Sequence, residues 1–203
     1  MNTYQYKTEV KTLLGDLIPP VSTYLKVRDK YPQSVLMESS DYHSSENSRS
    51  FIGLEPLASI SINHGRAICS FPDGTTSAHE INAEYTCDCA INDFIGKFQV
   101  TGECAEYCGL YGYTSFNAVR YFEQIPVKDS YDTRNDAPDM LYILYKYVII
   151  FNGYKSEMMI VEMLGDGESN HISDVQKLIN SRTVKTYDFA PVGETTSSLT
   201  DEE

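Results

Sequence analysis

Hydrophobic and polar positions divide this chain into several short strands and a few helices. The longest apolar run covers residues 139–151, Asn152-Gly153 follows it, and residues 155–164 resume the apolar pattern. This order predicts a β-hairpin closed by a type I′ turn. Further strands are expected over 34–39, 50–54, 57–63, 66–71 and 107–113. Pro56 separates the second of these from the third, because proline cannot donate to a strand ladder. Asn63-His64-Gly65 turns the next pair, and Pro72-Asp73-Gly74-Thr75 carries turn residues after 66–71.

Helical spacing appears in three places. Val21, Tyr24, Leu25 and Arg28 fall near one face of 21–31, which Pro32 stops. Ile91, Phe94, Ile95 and Phe98 mark a helix over 88–99 with Asp88 at its cap. Ile172, Val175, Leu178 and Ile179 mark another over 171–182. Residues 8–18 read as a lead-in, helical or extended, ending at Pro19-Pro20, and 115–123 as a short helix or turn. The stretch 41–48 is polar and loop-like.

Crossover helices are too few for a parallel sheet. The expected class is therefore α+β, with largely antiparallel sheets and flanking helices. One domain should occupy 1–187, followed by a linker over 188–203 in which apolar residues thin out.

Composition narrows the function. The chain has 203 residues and a net charge of −13, which repels phosphate backbones, so nucleic acid is not an expected partner. With 16 Tyr, 8 Phe and no Trp, the chain can still pack a sound core, because tyrosine buries an apolar ring and needs one partner for its hydroxyl. No apolar run is long enough to span a bilayer, and the first residues carry no apolar signal segment. Five cysteines form no even framework. A cytoplasmic location and no membrane partner are the expectation.

The chemistry-bearing residues are few. Cys87-x-Cys89 and Cys104-x-x-x-Cys108 differ in spacing and have no nearby histidine, so free thiols are expected rather than a metal site. None of His43, His64, His79 and His171 sits beside a nucleophile in sequence. Gly109-Leu110-Tyr111-Gly112-Tyr113 lacks a phosphate-loop ending, and its glycines point to close backbone approach. Arg120 and Glu123 are spaced for a modest surface pair on a helix.

Glu38, Ser39 and Arg49 form the most suggestive group. A carboxylate can hold an ammonium, a guanidinium can hold a carboxylate, and a hydroxyl can do either. Leu36 and Met37 would supply an apolar wall for a small zwitterion. The plainer reading makes Glu38 and Ser39 the polar end of a strand.

Five motifs then occur in one order. They are Pro20-Val21-Ser22-x-Tyr24-Leu25-Lys26-x-Arg28-Asp29, Val35-Leu36-Met37-Glu38-Ser39, Ser50-Phe51-Ile52-Gly53-x-x-Pro56, Gly109-x-x-Gly112-Tyr113 with Val119-Arg120-Tyr121-Phe122-Glu123, and Pro138-Asp139-Met140. Together, over roughly 19–165, they resemble the N-terminal domain of the anthranilate synthase component I family. Met37 stands where that family usually has leucine, a volume-conserving exchange.

The resemblance implies an antiparallel α+β domain that packs on a larger C-terminal chorismate-binding domain. That second domain would hold Mg2+ and the catalytic groups. The complete protein would convert chorismate and ammonia to anthranilate and pyruvate. A glutamine amidotransferase subunit, component II, would supply the ammonia. The resemblance also implies L-tryptophan feedback, with inhibitor contacts from Leu36, Glu38, Ser39 and Arg49. Aminodeoxychorismate synthase component I, a salicylate- or isochorismate-forming relative, and a stand-alone amino-acid-binding module remain the alternative readings.

Overall fold

The structure, a computed structural model, describes residues 3–39, 48–127, 137–184 and 187–194. The expectations for loop residues 41–47 and for linker residues 195–203 lie outside this set.

The longest apolar run becomes β8 (Met140–Asn152), which pairs antiparallel with β9 (Glu157–Leu164). β8 is central and buried on both faces, which is why its apolar run is unbroken rather than alternating. The turn differs from the expectation. Asn152 pairs with Glu157, so residues 153–156 form a four-residue connection. Ser156 takes the left-handed conformation with φ 53°, and Asn152 Oδ1 accepts the Lys155 N–H at 3.2 Å. Asparagine hydrogen bonding, not a glycine at positive φ, shapes this turn.

The lead-in is extended: β1 (Tyr4–Leu14) runs antiparallel along β9. β2 (Val35–Met37), β4 (Arg66–Ser70) and β7 (Leu110–Thr114) fall where strands were expected. β5 (Thr76–Glu80) and β6 (Phe98–Thr101) were not foreseen. β5 is a polar edge strand with almost no apolar signal. β6 follows α2 (Cys87–Ile95), which stops at Gly96 and releases Phe98 into a strand parallel to β1. The N-cap of α2 is Thr86 rather than Asp88, which sits in the first turn and accepts the Thr86 hydroxyl. α1 (Pro20–Val27) and α3 (Ile172–Ile179) are shorter than their apolar patterns. Residues 115–123 hold a 3-10 turn over Phe116–Tyr121.

The largest difference concerns Pro56. The expected pair of strands is one strand, β3 (Arg49–Asn63), with a bulge. Its register against β8 runs Leu54↔Tyr147 and Pro56↔Tyr145, then Ala58↔Leu144, so Leu57 is one extra residue. A single inserted residue exchanges the faces of everything beyond it. Ile52 and Leu54 accordingly pack in one core with Val27 of α1 and Ile172, Val175 and Ile179 of α3. Ala58, Ile60 and Ile62 pack instead in the other, with Ala90 and Phe94 of α2.

The bulge also divides the sheet. Among the described residues its nine strands follow the order β5-β4-β3-β8-β9-β1-β6, with β2 on β3 and β7 on β8. Before the bulge, β3 lies between β2 and the β8–β9–β1 arm. After it, β3 lies between β4 and the part of β8 that carries β7. The α2 core gathers Tyr6, Val161 and Met163 from one arm and Ile60, Ile62 and Ala67 from the other. The fold is thus mixed α+β on a largely antiparallel sheet, as expected.

Candidate functional site

Four chain segments converge at one end of the sheet. They are the β1–α1 link, the residues after β2, the start of β3, and the β8–β9 connection. Gly15 N–H donates to Ser156 O at 2.7 Å, which ties the first segment to the last. Between them lies a cavity of about 390 Å³. Small-molecule sites span roughly 300–1,000 Å³. Ile18, Pro19, Pro20 and Phe151 form the apolar wall. Asp16, Glu38 and Glu157 contribute carboxylates, and Ser39, Ser48 and Ser50 hydroxyls; no Lys, Arg or His lines it among the described residues. The site therefore favours a ligand with a cationic group and an apolar body.

Glu38 and Ser39 reach this cavity because β2 ends at Met37 and the chain continues beside the start of β3. Ser39 N–H donates to Ser50 Oγ at 3.4 Å. Leu36 sits one step deeper. It pairs with Ile52 and packs in the α1–α3 core, below the cavity rather than in its lining.

Arg49 is not brought to this cavity. Side chains alternate along a strand, so Arg49 and Ser50 face opposite ways. Ser50 shares its face with Ile52 and Leu54. Arg49 shares its face with Phe51, and its guanidinium carbon stands 5.5 Å from the Tyr107 ring centroid. Phe51 lies 6.1 Å from Tyr107 and 5.7 Å from Tyr111, completing an aromatic bed. Arg49 Nε is buried without a hydrogen-bond partner among the described residues. Burial pushes the nearby Cys108 thiol up to about 12 and raises the Tyr111 phenol well above its ordinary range. Both stay neutral near pH 7, so neither offers Arg49 a counter-charge.

The remaining sequence candidates have structural surroundings. All five cysteines are free thiols, and Cys104 Sγ touches Met159 Sδ at 3.8 Å. A Cβ at Gly112 would overlap the Leu141 carbonyl, so the close approach expected there is present; Gly109 has open space instead. Arg120 pairs with Asp139 at 3.9 Å, drawing it toward β8 rather than along its own turn to Glu123. Tyr121 donates to the same carboxylate at 2.9 Å. His64 sits in the β3–β4 turn at φ 47°.

Sequence reading missed Asp16, Ser50 and Glu157 as cavity residues. Ser50 was in view only as a motif residue. A period-2 reading anchored on Ile52 would have placed it on the face of Leu36 and set Arg49 apart. Asp16 and Glu157 are brought in by the β1–β9 pairing, which no local pattern reveals.

A larger depression of about 440 Å³ lies beside β1 and the end of β9. Exposed Gln5, Lys7, Glu9, Asp166 and Glu168 wall it, and it has no comparable apolar wall.

No protein-family model matches the chain. Curated relatives do. The chain is 27% identical over 163 residues to anthranilate synthase component 1 of Lactococcus lactis, across 76% of this chain and 32% of that protein. It is 26% identical over 161 residues to the protein of the same name from Methanothermobacter marburgensis, across 79% and 32%. The chain thus spans about a third of the length of these relatives. The crystal structure of anthranilate synthase component I from Streptococcus pneumoniae TIGR4 aligns at 20% identity with a TM-score of 0.45, covering 83% of this chain and 34% of that one.

Proposed function

We propose that this chain is the N-terminal, regulatory part of an anthranilate synthase component I. In this reading the complete protein converts chorismate and ammonia to anthranilate and pyruvate. A glutamine amidotransferase partner supplies the ammonia, and L-tryptophan inhibits the reaction. The similarity to curated proteins of that name supports the family, and the cavity supports the regulatory role. No group of three or more His, Cys, Asp or Glu side chains suited to a metal ion occurs among the described residues. In this reading Mg2+ and the reacting groups belong to the C-terminal domain.

The observation that carries the regulatory reading is the convergence of Glu38, Ser39 and Ser50 on a cavity walled by Pro20 and Phe151. A carboxylate for an ammonium, hydroxyls for a carboxylate and an apolar wall for a side chain are the parts an amino-acid site needs. Tryptophan would fill the cavity against the second domain and favour an arrangement unsuited to turnover. Linkage then requires chorismate to weaken tryptophan binding by the factor that tryptophan weakens chorismate binding.

The test uses the complete natural chain with ammonia as co-substrate, following anthranilate by its fluorescence. Ser39→Phe places a ring in the cavity. Catalysis should persist while the tryptophan concentration for half-inhibition rises by about tenfold or more, a change of roughly 1.4 kcal/mol or above. Unchanged sensitivity would remove the site assignment, and absence of anthranilate formation in the unmodified protein would remove the enzyme assignment.

A further inference from the structure

The structure separates two groups that the sequence places side by side. A zwitterion site built from Glu38 and Arg49 needs both on one face of the sheet. Strand alternation puts Ser50 with Phe151 and Ile52 on the cavity side, and Arg49 with Phe51 and Tyr107 on the other. The described lining residues therefore offer anionic groups for an ammonium and no cationic side chain for a carboxylate.

We infer that the hydroxyl of Ser50, not the guanidinium of Arg49, receives the carboxylate of the amino-acid ligand in this cavity. This rests on reading the cavity as an amino-acid site. Three observations support it. Ser50 is buried, 9% exposed, yet it lines the cavity. Its Oγ already accepts the Ser39 N–H at 3.4 Å, so the oxygen is held in place from the strand side. Its proton has no acceptor among the described residues, which leaves the O–H as a preset donor toward the cavity.

Chemistry favours the assignment. A carboxylate entering beside Asp16, Glu38 and Glu157 meets like charge and needs a donor close at hand. A buried hydroxyl with an unused proton gains most from an ionised acceptor, because a charged hydrogen bond is stronger than a neutral one. A site built to donate to that group also discriminates against ligands lacking it, since the hydroxyl is then left unpaired. Ser50 becomes a specificity residue that distinguishes an amino acid from the matching amine.

The experiment measures equilibrium dialysis of L-tryptophan and of tryptamine, the same side chain and ammonium without the carboxylate. It uses the complete natural chain, its Ser50→Ala variant and its Arg49→Met variant. Ser50→Ala should lower tryptophan affinity about tenfold and leave tryptamine affinity within about twofold, the loss expected for one hydrogen bond to a charged group. Arg49→Met should change neither by more than about threefold, as for a group without direct contact. A loss confined to tryptophan cannot come from a general shift of Ser39, which would weaken both ligands together. The inference is overturned if Ser50→Ala weakens both equally or neither, or if Arg49→Met shows the selective loss instead. If the unmodified protein binds neither compound, the amino-acid reading of the cavity falls and this inference with it. That result is distinct from binding that ignores Ser50.

Discussion

The two halves of β3 bury opposite faces of one strand. Residues 49–54 turn Ile52 and Leu54 toward α1 and α3 and bring Ser50 to the cavity. Beyond the bulge, Ala58, Ile60 and Ile62 turn toward α2 and the core between the sheet arms. Both halves have alternating apolar residues at even positions. Periodicity alone therefore cannot tell which face each half buries. The comparison shows that one extra residue lets a single strand serve two cores, and that the candidate site belongs to one of them.

The strongest way to break this arrangement is to insert one alanine between Ala58 and Ser59, just beyond the bulge. The insertion shifts the alternation of everything after it by one position. Residues 59–63 then present Ser59 and Ser61 to the α2 core and turn Ile60 and Ile62 away from it, unless the register with β4 and β8 is lost. The expected outcome is a chain that does not accumulate as folded protein, read by soluble yield and near-UV circular dichroism. A folded insertion variant would show that the second half of β3 is not bound to one register.

A smaller disturbance touches only the second half. A Cβ at Gly112 would overlap the Leu141 carbonyl, where β7 lies against β8. Backbone cannot swing aside as a side chain can, so Gly112→Ala should separate β7 from β8. The expected cost is about 3 kcal/mol, or a fall in Tm of roughly 6–12 °C for a domain of this size. Because the cavity is assembled from the other half, tryptophan affinity should stay within about threefold below the transition. A large loss of affinity at unchanged Tm would show that the halves are coupled.

Much of this division was legible in the chain, and its limits have physical causes. The β8–β9 hairpin and the helical faces of α2 and α3 announced themselves because long apolar runs and i, i+3, i+4 spacing are local signals. Pro56 was read as a break because proline removes a ladder donor, yet a bulge accommodates it within one strand. β5 was hidden because an edge strand need bury little, and β6 because Phe98 continued a helical spacing past Gly96. Of the residues grouped in the sequence, Glu38 and Ser39 line the cavity from the end of β2, whereas alternation along β3 sets Arg49 on the opposite face, which nearness in sequence does not reveal. Asp16 and Glu157 come from β1–β9 pairing across more than a hundred residues, a contact no local pattern encodes.

The smallest expected effect sharpens the comparison within the first half, between its two faces. Arg49→Met keeps an unbranched stem of similar length against Phe51 and Tyr107 and removes the charge. Two contributions oppose one another. Losing the cation from the Tyr107 face should cost about 0.5–2 kcal/mol. Removing a buried Nε that has no hydrogen-bond partner among the described residues should return about 1–3 kcal/mol. Their near-cancellation predicts a stability change within about 1 kcal/mol, or roughly 2–4 °C in Tm. Chemical denaturation with an unchanged m-value would confirm that the folded state is otherwise the same. A loss above about 2 kcal/mol would mean that the guanidinium holds a charged partner on its own side of the sheet. The aromatic face would then be a second polar site, and the contrast between Ser50 and Arg49 would have to be redrawn as two sites back to back.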